Sequence, residues 1–166
     1  VFQGGLYRSE DGGGTWQKIW GKRVDDIVVG NKDADMLYAV ICGYRVYESM
    51  DGGMNWNDIS RTGGEDPLPN PTYDDPIRIG SVYSLTMDID FTDVIYTANK
   101  WDCEAGGIYL SPNSGENWFA IGLQDERVEK ITLASDSDYH ALYAVTTDGL
   151  FKLDFSNSAI VVQKYS

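Results

Sequence analysis

An all-β fold of repeated four-stranded antiparallel units is predicted by three features of this 166-residue sequence. An octapeptide recurs: residues 9–16 read SEDGGGTW, 49–56 read SMDGGMNW and 111–118 read SPNSGENW. Short apolar runs of strand length stand at matching offsets around each copy. Nowhere do apolar residues recur at i, i+3, i+4, i+7 over three turns, so no long helix is expected. Four-strand units of about 40–45 residues have the period of propeller blades. The chain therefore reads as about 3.5 blades of a β-propeller, part of a seven-blade ring.

Each unit opens on an apolar run: Val24–Val29, Val82–Met87 and residues 128–133. An acidic turn follows, with Asp33 and Asp35, then Asp88, Asp90 and Asp93, then Asp136 and Asp138. The second strand is Leu37-Tyr38-Ala39-Val40, matched by Leu142-Tyr143-Ala144-Val145 and more loosely by Ile95-Tyr96-Thr97-Ala98. A third strand enters the octapeptide through an aliphatic-aromatic pair: Leu6-Tyr7, Val46-Tyr47 or Ile108-Tyr109. A fourth strand leaves from its Trp, and an Ile follows that Trp by three positions, at Ile19, Ile59 and Ile121. Gly149 to Asp154 form a fourth copy that keeps the approach and has lost the octapeptide. Ser9 and Ser49 lie 40 residues apart, whereas Ser49 and Ser111 lie 62 apart. An insertion at 60–80, holding Pro67, Pro69, Pro71 and Pro76, accounts for the longer interval as a loop.

The expected division is one partial propeller domain over 1–166: a half blade at 1–20, blades at about 21–60, 81–122 and 123–166, and the loop at 60–80. Alignment of the octapeptides puts Val1 at the end of a second strand. The rest of the ring then comes from a missing half of the chain or from a second chain.

Aromatic residues make up 13% of the chain beside 18 Gly, which suits short strands and tight turns. The formal net charge is −13, which repels phosphate, so neither a nucleic-acid nor an anionic-membrane partner is expected. No apolar run approaches the ~18 residues of a membrane span. Cys42 and Cys103 are either two thiols or one pair in an oxidising compartment.

The octapeptides resemble the S/T-x-D-x-G-x-T-W/F motif of Asp-box (BNR-repeat) propellers, a superfamily of sialidases, sortilin-like receptors and xyloglucanase-type glycosidases. Residues 9–16 meet the motif in full; Asn55 replaces Thr in the second copy, and Asn113 and Asn117 replace Asp and Thr in the third. Physical roles follow for Ser9, Asp11, Gly13, Thr15 and Trp16, for Ser49, Asp51, Gly53 and Trp56, and for Ser111, Asn113, Gly115 and Trp118. The carboxylate or amide accepts turn amides, the Gly takes positive φ, and the Trp inserts between neighbouring elements. Burying roughly 150–250 Å² per Trp at about 25 cal/mol/Å² sets an upper bound of about 4–6 kcal/mol each. The resemblance implies structural staples on the face away from any substrate.

By the same resemblance, ligand binds on the face made by loops at 21–23, 42–44, 60–80, 100–106, 124–127 and 147–149. Trp101 with Asp102 and Glu104 offers an aromatic plate beside carboxylates, and Tyr73, Asp74, Asp75 and Arg78 add polar groups from the insertion. Such a set suits stacking a sugar ring and hydrogen-bonding its hydroxyls. Glycoside hydrolysis needs two carboxyl groups at a controlled separation, and no pair stands out among 26 acids. Six arginines without a sialidase-type motif argue against a sialidase. His140 is the single histidine, leaving little material for a histidine metal site or a Ser-His-Asp triad. No metal or other cofactor is expected. The expected function is a non-catalytic module that binds protein or glycan, extracellular, at the cell surface or periplasmic. The alternatives are a fragment of a glycoside hydrolase of xyloglucanase type and a structural subunit of a larger assembly.

Overall fold

The computed structural model describes residues 4–30, 32–41, 45–59, 82–100, 106–135, 140–155 and 160–165. Those residues form fourteen strands and no helix. In chain order they are β1 (Leu6–Arg8), β2 (Gln17–Trp20), β3 (Val24–Val29), β4 (Leu37–Ile41), β5 (Arg45–Ser49), β6 (Asn57–Asp58) and β7 (Val82–Met87). Then come β8 (Ile95–Asn99), β9 (Gly107–Ser111), β10 (Phe119–Gly122), β11 (Val128–Ser135), β12 (His140–Thr146), β13 (Gly149–Asp154) and β14 (Val161–Tyr165). They pair as one two-stranded sheet, β1-β2, and three four-stranded sheets, β3-β4-β5-β6, β7-β8-β9-β10 and β11-β12-β13-β14. All pairings are antiparallel between chain neighbours, so each sheet is a meander.

Second strands sit deepest. Every residue of β4 and of β8 is buried, because sheets cover both faces of these strands. One core cluster joins the second and third sheets through Tyr38, Val40, Val46, Ile59, Val82, Leu85, Ile95, Tyr109 and Trp118. Another joins the third and fourth through Tyr96, Ile108, Val128, Ile131, Leu142, Phe151 and Leu153. β14 is exposed along its whole length, and Val145, Val161 and Val162 leave the far face of its sheet open.

The octapeptide turn is built the same way three times. The Ser hydroxyl accepts the amide of the Gly four residues on, at 2.8, 2.9 and 2.7 Å for Gly13, Gly53 and Gly115. The acidic or amide side chain accepts the amide of the seventh residue, from Thr15 and Asn55 at 2.8 Å and from Asn117 at 2.9 Å. The second oxygens of Asp11 and Asp51 take the side chains of Thr15 and Asn55 at 2.7 and 2.6 Å. These bonds to the ionised form, led by the amide of Thr15 or Asn55, hold both carboxyl groups down at about 2. The Trp16 and Trp56 indoles donate to the Gly13 and Gly53 carbonyls at 3.1 and 2.9 Å, while that of Trp118 is buried and unbonded among the described residues.

The three tryptophans do not share one environment. Trp118 is 6% exposed, Trp56 is half-buried, and Trp16 is 63% exposed, contrary to the expectation that all three insert. Burial follows the neighbours: among the described residues no sheet covers the outer side of β1-β2, so Trp16 has nothing to insert into.

The Ile after each Trp also has a seam to fill. Ile19 and Ile121 are the extra residues of β-bulges in β2 and β10. A β-carbon on Gly53 would lie 2.7 Å from Ile19 Cδ1, and one on Gly115 would lie 2.6 Å from Ile59 Cδ1. The glycine of the second and third turns thus seats on the isoleucine of the sheet before it.

Candidate functional site

Antiparallel pairing sets the starts of β3, β7 and β11 and the ends of β4, β8 and β12 at one common end of the stack. The strand ends flanking 42–44, 60–81 and 101–105 stand there too. Each innermost strand carries a bulge at the same place, and the extra residues are Asp25, Tyr83 and Glu129. An irregularity of this kind re-aims a side chain at a strand end.

Around these three residues the charges are tied in pairs. Arg23 Nη2 lies 3.0 Å from Asp25 Oδ1. Glu129 takes Lys100 on one oxygen and Arg127 Nε at 3.3 Å on the other. Lys100 Nζ also stands 4.8 Å over the Tyr83 ring. One residue further along the innermost strands come Asp26, Ser84 and Lys130. Asp26 Oδ2 accepts from Lys130 Nζ at 2.8 Å, Ser84 Oγ at 3.0 Å and the Leu85 amide at 3.0 Å. The Ile131 amide donates to Ser84 Oγ at 3.3 Å, so three sheets meet on two side chains. The mouth is polar and cross-braced. It offers a phenol, carboxylates and cations to a ligand laid across it.

Trp101, Asp102, Glu104, Tyr73, Asp74, Asp75 and Arg78, which the sequence singles out for binding, lie outside the described residues, as do Cys42 and Cys103. Among the described residues no group of three or more His, Cys, Asp or Glu side chains is placed to hold a metal ion.

Two clusters escape the sequence reading. His140 Nε2 lies 2.9 Å from Asp88 Oδ2 and 3.4 Å from the Tyr96 hydroxyl, with Nδ1 3.0 Å from Ser135 Oγ. Asp88 is 2% exposed and its Oδ1 takes the amides of Asp90 and Phe91 at 2.8 and 3.1 Å. A proton on Nε2 is shared with Asp88 Oδ2, while Nδ1 meets the Ser135 hydroxyl. Phe155 closes the His140 ring edge-on at 5.8 Å, so the line serves as a tie between the third and fourth sheets. The second cluster joins the first and second sheets. Trp20 stacks on Trp56 at 4.3 Å and 4°, Tyr47 meets Trp20 edge-on at 5.3 Å, and Lys22 Nζ lies 4.7 Å over Tyr47. Only a third dimension could have paired these residues; the one local signal is the surplus of tryptophan.

No family model and no curated protein sequence matches the chain. Solved structures do. An ancestral GH74 enzyme superposes with a TM-score of 0.66 at 17% identity, over 99% of this chain and 21% of that one. The GH74 xyloglucanase from Xanthomonas campestris gives 0.66 and 17%, over 94% of this chain and 26% of its own. YCF48 bound to D1 peptide gives 0.58 and 18%, over 97% and 50%. The architecture is that of a β-propeller, of which the described strands make up about 3.5 blades. The chain spans between a fifth and a half of the length of these structures.

Proposed function

We propose that this chain is the blade stack of a non-catalytic propeller that binds protein or glycan through the mouth at Asp25, Tyr83 and Glu129 and the loops beside it. The observation that carries this reading is the pairing of the acids there. Asp25, Asp26 and Glu129 each hold a cationic partner. Oxygens engaged in this way are committed to neighbouring side chains rather than open to a scissile bond. A fixed array of charges around the half-buried Tyr83 ring suits recognition. YCF48, a structure of similar fold, is bound to D1 peptide, which supports a peptide as a ligand class. Further blades or a second chain complete the ring in this reading.

The test is binding of the full-length protein to glycan and peptide arrays, run beside a hydrolysis screen on β-glucans. Saturable binding, weakened by Tyr83→Ala and Glu129→Gln without turnover, is the expected result. The GH74 likeness makes hydrolysis the result to look for against it. Turnover abolished by replacing one carboxylate would overturn the proposal.

A further inference from the structure

The aromatic cluster between the first and second sheets has a part that the blade repeat explains and a part that it does not. Tyr47 and Trp56 hold repeat positions, matched by Tyr109 and Trp118 in the next seam. Trp20 and Lys22 do not. Four residues after the Trp of each octapeptide stand Trp20, Ser60 and Gly122, and six residues after it stand Lys22, Thr62 and Gln124. The fold therefore asks for neither an indole nor a lysine at these positions. Tyr109 and Trp118 are buried, whereas Trp20, Tyr47 and Trp56 are each half-buried and Lys22 is exposed. The added pair thus reaches the surface of a seam whose staple is already in place.

Together these residues form a corner. Trp56 is fixed by its indole, which donates to the Gly53 carbonyl at 2.9 Å, and it backs Trp20 in a parallel stack at 4.3 Å. Tyr47 meets Trp20 at 72°, so the two rings make walls close to perpendicular. Lys22 Nζ lies 4.7 Å from the Tyr47 centroid and 5.6 Å from that of Trp20, and donates to the Tyr47 hydroxyl at 3.3 Å. Both centroid distances fall within the ~6 Å over which a ring quadrupole attracts a cation. No carboxylate holds this ammonium among the described residues, although Lys100, Lys130, Lys152 and Lys164 each have one. Arg45, the other cation beside Tyr47, is paired with Asp58. The corner holds its cation on aromatic rings and a phenol oxygen.

We infer that the corner of Trp20 and Tyr47 is a binding site for the ammonium group of a lysine from a basic peptide, with Lys22 as its resident stand-in. The placement of Lys22 shows the chemistry that the corner accepts. A cation on partly exposed rings is held weakly enough for an incoming ammonium to displace it. One cation replaces another, so the exchange leaves the local charge unchanged. The net charge of −13 draws a basic peptide toward the chain before contact. The phenol oxygen favours a lysine, whose ammonium has N–H groups to donate, over a quaternary ammonium, which has none. The site uses none of Asp25, Tyr83 and Glu129, and the inference does not rest on a ligand at the mouth.

The test follows the indole N–H resonances of Trp20 and Trp56 while acetyl-Gly-Lys-Gly-amide is added to the intact protein. Lys22→Ala removes the internal competitor, so this variant should bind the peptide roughly fivefold more tightly than the parent protein. The same peptide with acetyl-lysine, which carries no charge, should move neither resonance. Trp20→Ser gives this position the residue type of the second sheet and should leave the Trp56 resonance unmoved. Static resonances in the Lys22→Ala protein, equal affinity of that variant and the parent, or an equal response to the uncharged peptide overturns the inference. Tetramethylammonium binding as tightly as the peptide overturns it too, by showing a site for any small cation. Tyr83→Ala and Glu129→Gln proteins should bind the peptide as the parent does, so failure here and failure at the mouth read out separately.

Discussion

Ile19 and Gly53 meet across the seam between the first two sheets, at a separation that leaves no room for a β-carbon: one built on Gly53 would stand 2.7 Å from Ile19 Cδ1. Gly53 also has φ of +90°. Gly13 has φ of +96° and only the Trp16 ring, at 3.9 Å, near its missing side chain. The two glycines therefore separate backbone strain from crowding. Gly13→Ala should cost about 1–2 kcal/mol, the penalty of a left-handed non-glycine residue. Gly53→Ala should cost about 1–3 kcal/mol more through overpacking. Ile19→Val, which removes the clashing methyl group, should recover part of the second loss and none of the first. Urea midpoints of the parent and of each glycine variant, with and without Ile19→Val, measure this.

Acid should weaken two turns and spare the third. Asp11 and Asp51 are held at about 2, below the ordinary 3.8. A depressed carboxyl group contributes stability that is complete above its unfolded value and fades as pH falls through its folded one. The window is thus from about pH 4 to about pH 2. Asn113 takes the same amide bond without titrating. Asp11→Asn and Asp51→Asn proteins should show a shallower fall of the urea midpoint across that window than the parent protein.

Asp26 should matter more than the lysine that pairs with it. Its side chain is 17% exposed and serves four donors, Ile27 N among them, whereas that of Lys130 is 58% exposed. Asp26→Ala strands the Leu85 amide and the Ser84 hydroxyl and should cost about 2–4 kcal/mol. Lys130→Met should cost no more than about 1 kcal/mol, as for other largely exposed pairs. Thermal or urea unfolding of the two variants makes the comparison.

Ser114 occupies a glycine's position. Its φ is +53°, where Gly12 and Gly52 have +68° and +69°. In exchange its hydroxyl lies 3.1 Å from the Tyr38 hydroxyl, which also donates to Glu48 at 3.1 Å. Burial, with Glu48 alongside, pushes the Tyr38 phenol up to about 12. Relief of left-handed strain by Ser114→Gly is worth about 1 kcal/mol, and the lost hydrogen bond is worth about the same. Ser114→Gly alone should therefore be close to neutral. In a Tyr38→Phe background it should stabilise by about 1 kcal/mol, and a double-mutant cycle would show the coupling.

Strand identity is legible in this sequence because each strand repeats its own residue types, and repetition separates signal from chance. β3 and β7 coincide with the apolar runs, and β4 with Leu37-Tyr38-Ala39-Val40. Bulges carry no such mark. Asp25, Tyr83 and Glu129 differ in size and charge, and only the partner strand reveals that they are extra. Pairing across seams is equally silent: Trp20 finds Trp56, and His140 finds Asp88, over separations that no period predicts. Trp16 shows the converse error. The motif gives its turn, but burial depends on what lies beyond β1-β2.

The bulges at the start of β3, β7 and β11 have an evolutionary corollary. An extra residue sits outside the ladder, so its identity can drift while the flanking register of Val24 and Asp26, Val82 and Ser84, or Val128 and Lys130 is kept. Each four-stranded sheet thereby places one ladder-free residue at the same end of the stack. Substitution at Asp25, Tyr83 and Glu129 would change the chemistry of that end of the stack while leaving the ladder beneath it in register.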